Sequence, residues 1–289
     1  GRRQEASAEL APGLLREAAE AAEALLGAWG GELEARPALS DGPPLPAAAA
    51  SRLEAVFAVH AALRASPQVQ RLGGFGGYKL GWKDSPVLTP EGLPAMYSPI
   101  FRGTFVPSGG EVSLSRRKLS CAEAEYGFLL RGGFTPRRAP YSEEEVWEQV
   151  AHVELCVELC GSRIASPDPS PFQLLADAML SAGVVRGEKL AKGSVTPAAL
   201  RAAEVQLLLR GAEVSAGSGK ENPLDSPLAS VTFLVNDRTH RRKLDVEAGS
   251  LIIAGHCCQA RFDSGRELAG AELVAEFAGL GSVRAVLRA

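Results

Sequence analysis

The stretch Ser120-Cys121-Ala122-Glu123-Ala124-Glu125-Tyr126-Gly127-Phe128-Leu129-Leu130 decides how the chain is read. Its alternation predicts a strand. Side chains two apart on a strand share a face, so Glu123 and Glu125 stand side by side with Cys121 and Leu129. Two anions on a buried face repel, and burying them is costly unless a cation neutralises them or one takes a proton. The doublet therefore reads as a hard-metal site or as a coupled acid–base pair. An edge strand with both glutamates in water is the alternative, and on the doublet alone it is the favoured reading, because most glutamates are exposed.

Further along, Val153-Glu154-Leu155-Cys156-Val157-Glu158-Leu159 also alternates, with Glu154, Cys156 and Glu158 opposite the aliphatic face. Glu158 is thus a third inward carboxylate. Glu123, Glu125 and Glu158 together suit Mg2+ or Mn2+, which prefer oxygen ligands and leave positions open for water and substrate. A 2-keto acid chelates such an ion through its carboxylate and keto oxygens, which stabilises an enolate. Lys79, in Tyr78-Lys79-Leu80, is placed to bind the substrate carboxylate, or to shuttle a proton where burial lowers its pKa. A snorkelling surface lysine is the other reading, and on position alone it is the favoured one.

Composition narrows the class. The 289 residues are 46% hydrophobic, enough to bury a sizeable core, and their net charge of -3 offers no basic field for nucleic acid. No apolar run has membrane-spanning length, so neither nucleic acid nor membrane is an expected partner. Five cysteines, including the vicinal Cys257-Cys258, show no paired CxxC knuckles, which argues against a disulfide framework and a structural zinc and for a reducing, cytoplasmic setting. They read as small buried hydrophobes.

Helical spacing predicts helices over 11–29, closed by Gly30-Gly31, and over 51–64, with a Pro- and Ala-rich loop at 36–50 between them. From Gly73 the texture turns to short strands, at 78–82, 97–105, 118–130, 153–159, 250–257 and 272–277 and after Gly281. Ser142 opens a capping-box helix, and further helices are expected over 171–180 and 229–236. The class is α+β with mixed strands. Residues 1–70 are expected to form an N-terminal helical region and 71–289 the metal-binding catalytic domain.

Gly73-Gly74-Phe75-Gly76-Gly77 lacks the strand-then-helix setting of a phosphate loop, and Gly217-Ser218-Gly219-Lys220 is followed by Glu221 where such a loop needs Ser or Thr. No G-x-S-x-G is present, and the four histidines have no zinc spacing.

Taken in order, Gly77-Tyr78-Lys79-Leu80-Gly81, Ala122-Glu123-Ala124-Glu125, Val157-Glu158 leading into Ser162-Arg163-Ile164, Asp177 leading into Gly183-Val184-Val185-Arg186-Gly187, Ser226-Pro227-Leu228-Ala229 and Gly279-Leu280-Gly281-Ser282-Val283 form a series. In that series the chain resembles the 2-keto-4-pentenoate hydratase and 4-oxalocrotonate decarboxylase family of the fumarylacetoacetate-hydrolase-like superfamily. The resemblance implies a mixed β-sheet roll around the site, with Glu123, Glu125 and Glu158 as ligands of Mg2+ or Mn2+ and Lys79 as the active-site lysine. Tyr78 and Ser162 join Lys79 as substrate-binding residues. It implies a small 2-keto or 2-hydroxydienoic acid substrate, hydrated by a lyase or alternatively decarboxylated or hydrolysed, and a homo-oligomer.

The departures are specific. The family's Asp three residues after the third ligand is Gly161, its Asp-Asn pair is Asp177-Ala178, its acidic residue before an aromatic is Met96, and its late small-hydroxyl strand reads Ala254-Gly255-His256-Cys257-Cys258. His256 becomes a candidate acid, base or carboxylate-binding group, with a structural role as the alternative. His152 and Glu154 are candidates for orienting Glu158. A catalytically silent family member is the reading from another class.

Overall fold

The computed structural model describes residues 12–29, 39–47, 49–262 and 268–289. The expected helix stop at Gly30-Gly31 lies outside them. Helices α1 (Pro12–Trp29) and α2 (Arg52–Ala65) come first, and the side chain of Ser51 caps α2 by accepting from Glu54 N. Strands β1 (Phe75–Gly81), β2 (Met96–Phe101), β3 (Phe105–Pro107) and β4 (Glu111–Ser113), the short helix α3 (Leu114–Arg117) and β5 (Leu119–Leu130) follow. Next come α4 (Glu143–Glu148), β6 (Val150–Gly161), α5 (Pro171–Ala176), β7 (Ser181–Ala191), α6 (Pro197–Ala202), β8 (Glu204–Leu209) and β9 (Ala212–Ser218). The chain ends with α7 (Pro227–Asn236), β10 (Leu251–Arg261), β11 (Glu272–Phe277) and β12 (Gly281–Arg288). No described helix is long and apolar enough to cross a membrane.

Two mixed sheets carry the fold: a curled seven-stranded one in the order β2-β1-β10-β5-β6-β7-β3, and a five-stranded one in the order β4-β12-β11-β8-β9. Period-two alternation sorts the long strands. Ala122, Ala124, Tyr126 and Phe128 of β5 and Val153, Leu155, Val157 and Leu159 of β6 enter the core shared with Leu273, Ala275, Phe277 and Val283 of the second sheet. Tyr126 meets Phe277 with ring centroids 5.1 Å apart. The opposite face is therefore free to carry polar groups. Helices α1 and α2 form another core with Met96, Phe101, Leu175 and Met179.

Two differences from the expected elements have local causes. The helix expected over 171–180 stops at Ala176, because the next residues leave the right-handed region: Ala178, Met179 and Leu180 have φ of 46°, 52° and 67°. Gly183-Val184-Val185 is consequently inside β7 and pairs with β6. The run expected over 97–105 breaks at a turn over Arg102–Thr104. The glycine-rich 73–77 segment serves packing: a Cβ on Gly77, at φ +144°, would lie 1.9 Å from Leu251 O, where β1 and β10 pair in parallel.

Candidate metal centre

Strands β5 and β6 are antiparallel and in a register that places Cys121 opposite Cys160, Glu123 opposite Glu158, and Glu125 opposite Cys156. Strand β10 flanks β5 on its other side, with His256 opposite Glu125 and Gln259 opposite Glu123. Two bulges in β10 bracket His256. Gly255, at φ +96°, turns its N–H to donate to Glu125 Oε2 at 3.0 Å. Left-handed backbone is easiest for glycine, so the bulge and the residue type act together.

Carboxylate oxygens of Glu123, Glu125 and Glu158 lie within 4.8 Å of one another. Glu125 and Glu158 are fully buried, and Glu123 is half-buried. Lys79, buried on β1, places Nζ 2.6 Å from Glu158 Oε2 and donates to Met179 O at 3.1 Å. One ammonium thus faces three carboxyl groups. The buried Glu125 Oε1 receives no hydrogen bond. An ion about 2.1 Å from each oxygen would need oxygens about 3 to 4 Å apart, and the all-oxygen donor set suits Mg2+ or Mn2+. The residues present therefore fit a hard divalent ion.

The protonation energetics point the same way. Burial pushes the Glu158 carboxyl up to about 7; Lys79 pulls it down, and Glu123 adds repulsion. Glu125 is pushed well above the usual carboxylate range by burial and by Glu158 and Glu123, against Lys79 and the Gly255 N–H. Burial alone would favour a neutral Lys79, but Glu158, Cys160, Glu123 and Glu125 outweigh it and the net shift is upward. Of the two roles expected for Lys79, this upward shift favours the ammonium that binds a carboxylate over the proton shuttle, which needs burial to lower the pKa.

A stability prediction follows from the sign. A carboxyl whose folded pKa of about 7 exceeds its usual 4.5 holds a proton that the unfolded chain has released. The cluster's contribution to stability therefore falls as pH rises between those values, by up to about 3 kcal/mol for Glu158. Thermal unfolding of the metal-free chain across this window should show a downward slope in Tm that Glu158→Gln flattens. Equal slopes in the two proteins would count against the buried, repelling cluster.

The other candidates are placed as follows. Tyr78 points to the opposite face of β1 from Lys79, where its hydroxyl accepts from Arg64 Nη1 at 2.9 Å and donates to Glu247 Oε2 at 3.2 Å. Alternation keeps it out of the carboxylate cluster, on the opposite face from Lys79. Ser162 donates to Asp177 Oδ2 at 3.0 Å and accepts from Ile164 N at 3.0 Å, so its hydroxyl is committed outside the cluster. His256 is half-buried and stands opposite Glu125 in the ladder. Glu154 binds His152 Nε2 at 2.7 Å and Arg186 Nε at 2.6 Å. It lies four residues from Glu158 along β6, about 13 Å. The pair His152 and Glu154 accordingly forms a separate ionic cluster and does not orient Glu158. Met96 is buried in the helical core and Gly161 ends β6, so neither departure supplies an acid or base.

The sequence places Asp177 in the motif series but does not reveal its partner, Arg163. Asp177 is fully buried, and Arg163 donates to it from Nε at 2.6 Å and from its backbone N at 2.9 Å. Arg163 also donates to Asp177 O at 2.5 Å and Ser181 O at 2.7 Å. These bonds brace both ends of the left-handed 178–180 turn, whose Met179 carbonyl holds Lys79. Arg163 lies over the Trp29 ring, 4.1 Å from its centroid. Arg163 and Asp177 both stand in the motif series, 14 positions apart, and nothing in their spacing announces the pair.

No family model and no curated protein matches the sequence. Among solved structures, 4-oxalocrotonate decarboxylase from Pseudomonas putida G7, complexed with magnesium and adipate, is similar at a TM-score of 0.72 and 21% identity, over 99% of this chain and 100% of that one. The same enzyme complexed with calcium and acetate gives 0.71 at 20% identity, over 99% and 100%. Fumarylpyruvate hydrolase from Pseudomonas aeruginosa, in complex with Mn2+ and pyruvate, gives 0.52 at 15% identity, over 73% of this chain and 88% of that one. These neighbours agree with the resemblance seen in the sequence, and the chain has the fumarylacetoacetate-hydrolase-like fold that they share.

Proposed function

We propose that this chain is a divalent-metal-dependent lyase acting on a small 2-keto or 2-hydroxydienoic acid. The observation that carries the reading is the convergence of Glu123, Glu125 and Glu158 within 4.8 Å beside the Lys79 ammonium. The three glutamates would hold Mg2+ or Mn2+, which supplies positive charge to polarise keto and carboxylate oxygens. Lys79 is ion-paired with Glu158 and donates to Met179 O, and a remaining N–H would serve the substrate carboxylate. Cys156, Ile100, Val184, Leu251 and Ile253 form an apolar floor on the same side of the sheet, which excludes water beneath the carboxylates. A homo-oligomer belongs to the same reading and rests on the family resemblance.

Within the lyases, decarboxylation is supported by the full-length likeness to 4-oxalocrotonate decarboxylase, and hydration of a dienoate by the motif series in the sequence. Incubating the Mg2+-loaded chain with 2-hydroxypenta-2,4-dienoate and, separately, with 4-oxalocrotonate tests both. Decarboxylation releases CO2, hydration keeps the carbon count, and hydrolysis of an added acylpyruvate would yield two acids. Consumption of none of the three would overturn the lyase reading in favour of a catalytically silent relative.

A further inference from the structure

The ladder that aligns the glutamates continues by one rung. Cys121 and Cys160 are cross-strand partners, both free and buried. Their Sγ atoms and a carboxylate oxygen of Glu123 lie within 4.8 Å of one another. This group shares Glu123 with the carboxylate cluster yet has a different donor chemistry. Gln259, opposite Glu123 on β10, brings Oε1 to 3.8 Å from Cys121 Sγ.

We propose that Cys121, Cys160 and Glu123 form a second, thiophilic divalent-cation site that takes Zn2+ or Cd2+, with Gln259 Oε1 or water as the fourth ligand. Two sulfurs and one oxygen select such ions over Mg2+, which binds oxygen ligands. Tetrahedral Zn2+ at about 2.3 Å from sulfur and 2.0 Å from oxygen needs ligand atoms about 3.5 to 4 Å apart, a span compatible with a group whose atoms lie within 4.8 Å of one another. Binding replaces the two S–H protons, which leave to solvent, so two thiolates and one carboxylate meet a doubly charged ion.

The remaining cysteines do not offer this arrangement among the described residues. Cys257 is hydrogen-bonded by Asn222 and, with Cys258, faces the core between the sheets, while Cys156 lies in the apolar floor. Because Glu123 serves both groups, filling the thiol site withdraws a ligand from the carboxylate site. A thiophilic ion thereby weakens Mn2+ or Mg2+ binding.

The test is titration of the full, metal-free chain with Cd2+ under a phosphine reductant, followed by the ultraviolet thiolate-to-cadmium charge-transfer band. A band saturating at one equivalent is expected, lost in Cys121→Ser and in Cys160→Ser and kept in Cys257→Ser and Glu158→Gln. The last variant breaks the carboxylate cluster but spares the thiols, so failure of the lyase reading and failure of this one are told apart. No band in the unaltered chain, or a band that survives the Cys121/Cys160 double serine variant, would overturn the site. With one equivalent of Cd2+ bound, Mn2+ affinity of the unaltered chain should also fall by about tenfold or more, a fall absent when Cys160→Ser is given the same equivalent. Undiminished Mn2+ affinity would overturn the shared ligand, whatever the folding of the serine variants.

Discussion

Glu125→Gln is expected to act in opposite directions on metal binding and on the stability of the metal-free chain. Removing one of three anionic oxygens should reduce Mn2+ affinity by about a hundredfold, at the upper end of what lesser changes around metal ligands cost. The same change removes a fully buried carboxyl that burial and two neighbouring carboxylates push well above its usual range. Above pH 7 it should therefore raise the Tm of the metal-free chain, since the amide carries no charge to desolvate. Gln also retains an acceptor for the Gly255 N–H. Calorimetric titration and thermal unfolding of the two proteins read both effects. A purely structural Glu125 would give a loss of stability with no change in Mn2+ binding, and that outcome contradicts the metal centre.

The second large effect lies outside the carboxylate cluster. Arg163→Leu leaves Asp177 buried without its cation, and breaking one side of a buried pair costs about 3–5 kcal/mol. It also removes the donors on Asp177 O and Ser181 O that brace the left-handed Ala178-Met179-Leu180 turn. Left-handed non-glycine residues carry about 1–2 kcal/mol each, so a released turn will relax and take the Met179 carbonyl away from Lys79. The expected result is a large fall in Tm together with a raised KM, because Lys79 loses the acceptor that aims it. The double variant Arg163→Leu/Asp177→Leu should recover part of the stability and none of the KM. Recovery of both would show that the turn has no part in positioning Lys79.

The fold was legible where period two was strong. Glu123, Glu125 and Glu158 could be assigned to inward faces because every alternate neighbour is apolar. What alternation leaves open is register, and register decides that Glu123 meets Glu158 while Cys121 meets Cys160. The same rule, applied strictly, separates Tyr78 from Lys79; the motif that carries the resemblance joins them only because they are consecutive in the chain. His152 and Glu154 were near Glu158 in sequence, but an extended strand turns four residues into about 13 Å. Gln259 faces Glu123 only because two bulges in β10 shift its register, and nothing in Ala254–Gln259 except Gly255 announces them. The Arg163–Asp177 pair joins a strand end to a helix end, and its burial depends on tertiary packing against Trp29 that local pattern does not encode.

The most direct measurement is isothermal titration of the metal-free chain with Mn2+ in the absence and presence of oxalate, a mimic of the enolate of a 2-keto acid. One Mn2+ site whose affinity rises with oxalate is the expected result, since the three glutamates leave positions open on the ion and Lys79 keeps a donor for a carboxylate. Absence of Mn2+ binding, or binding that oxalate does not tighten, would contradict a keto-acid metal centre at Glu123, Glu125 and Glu158.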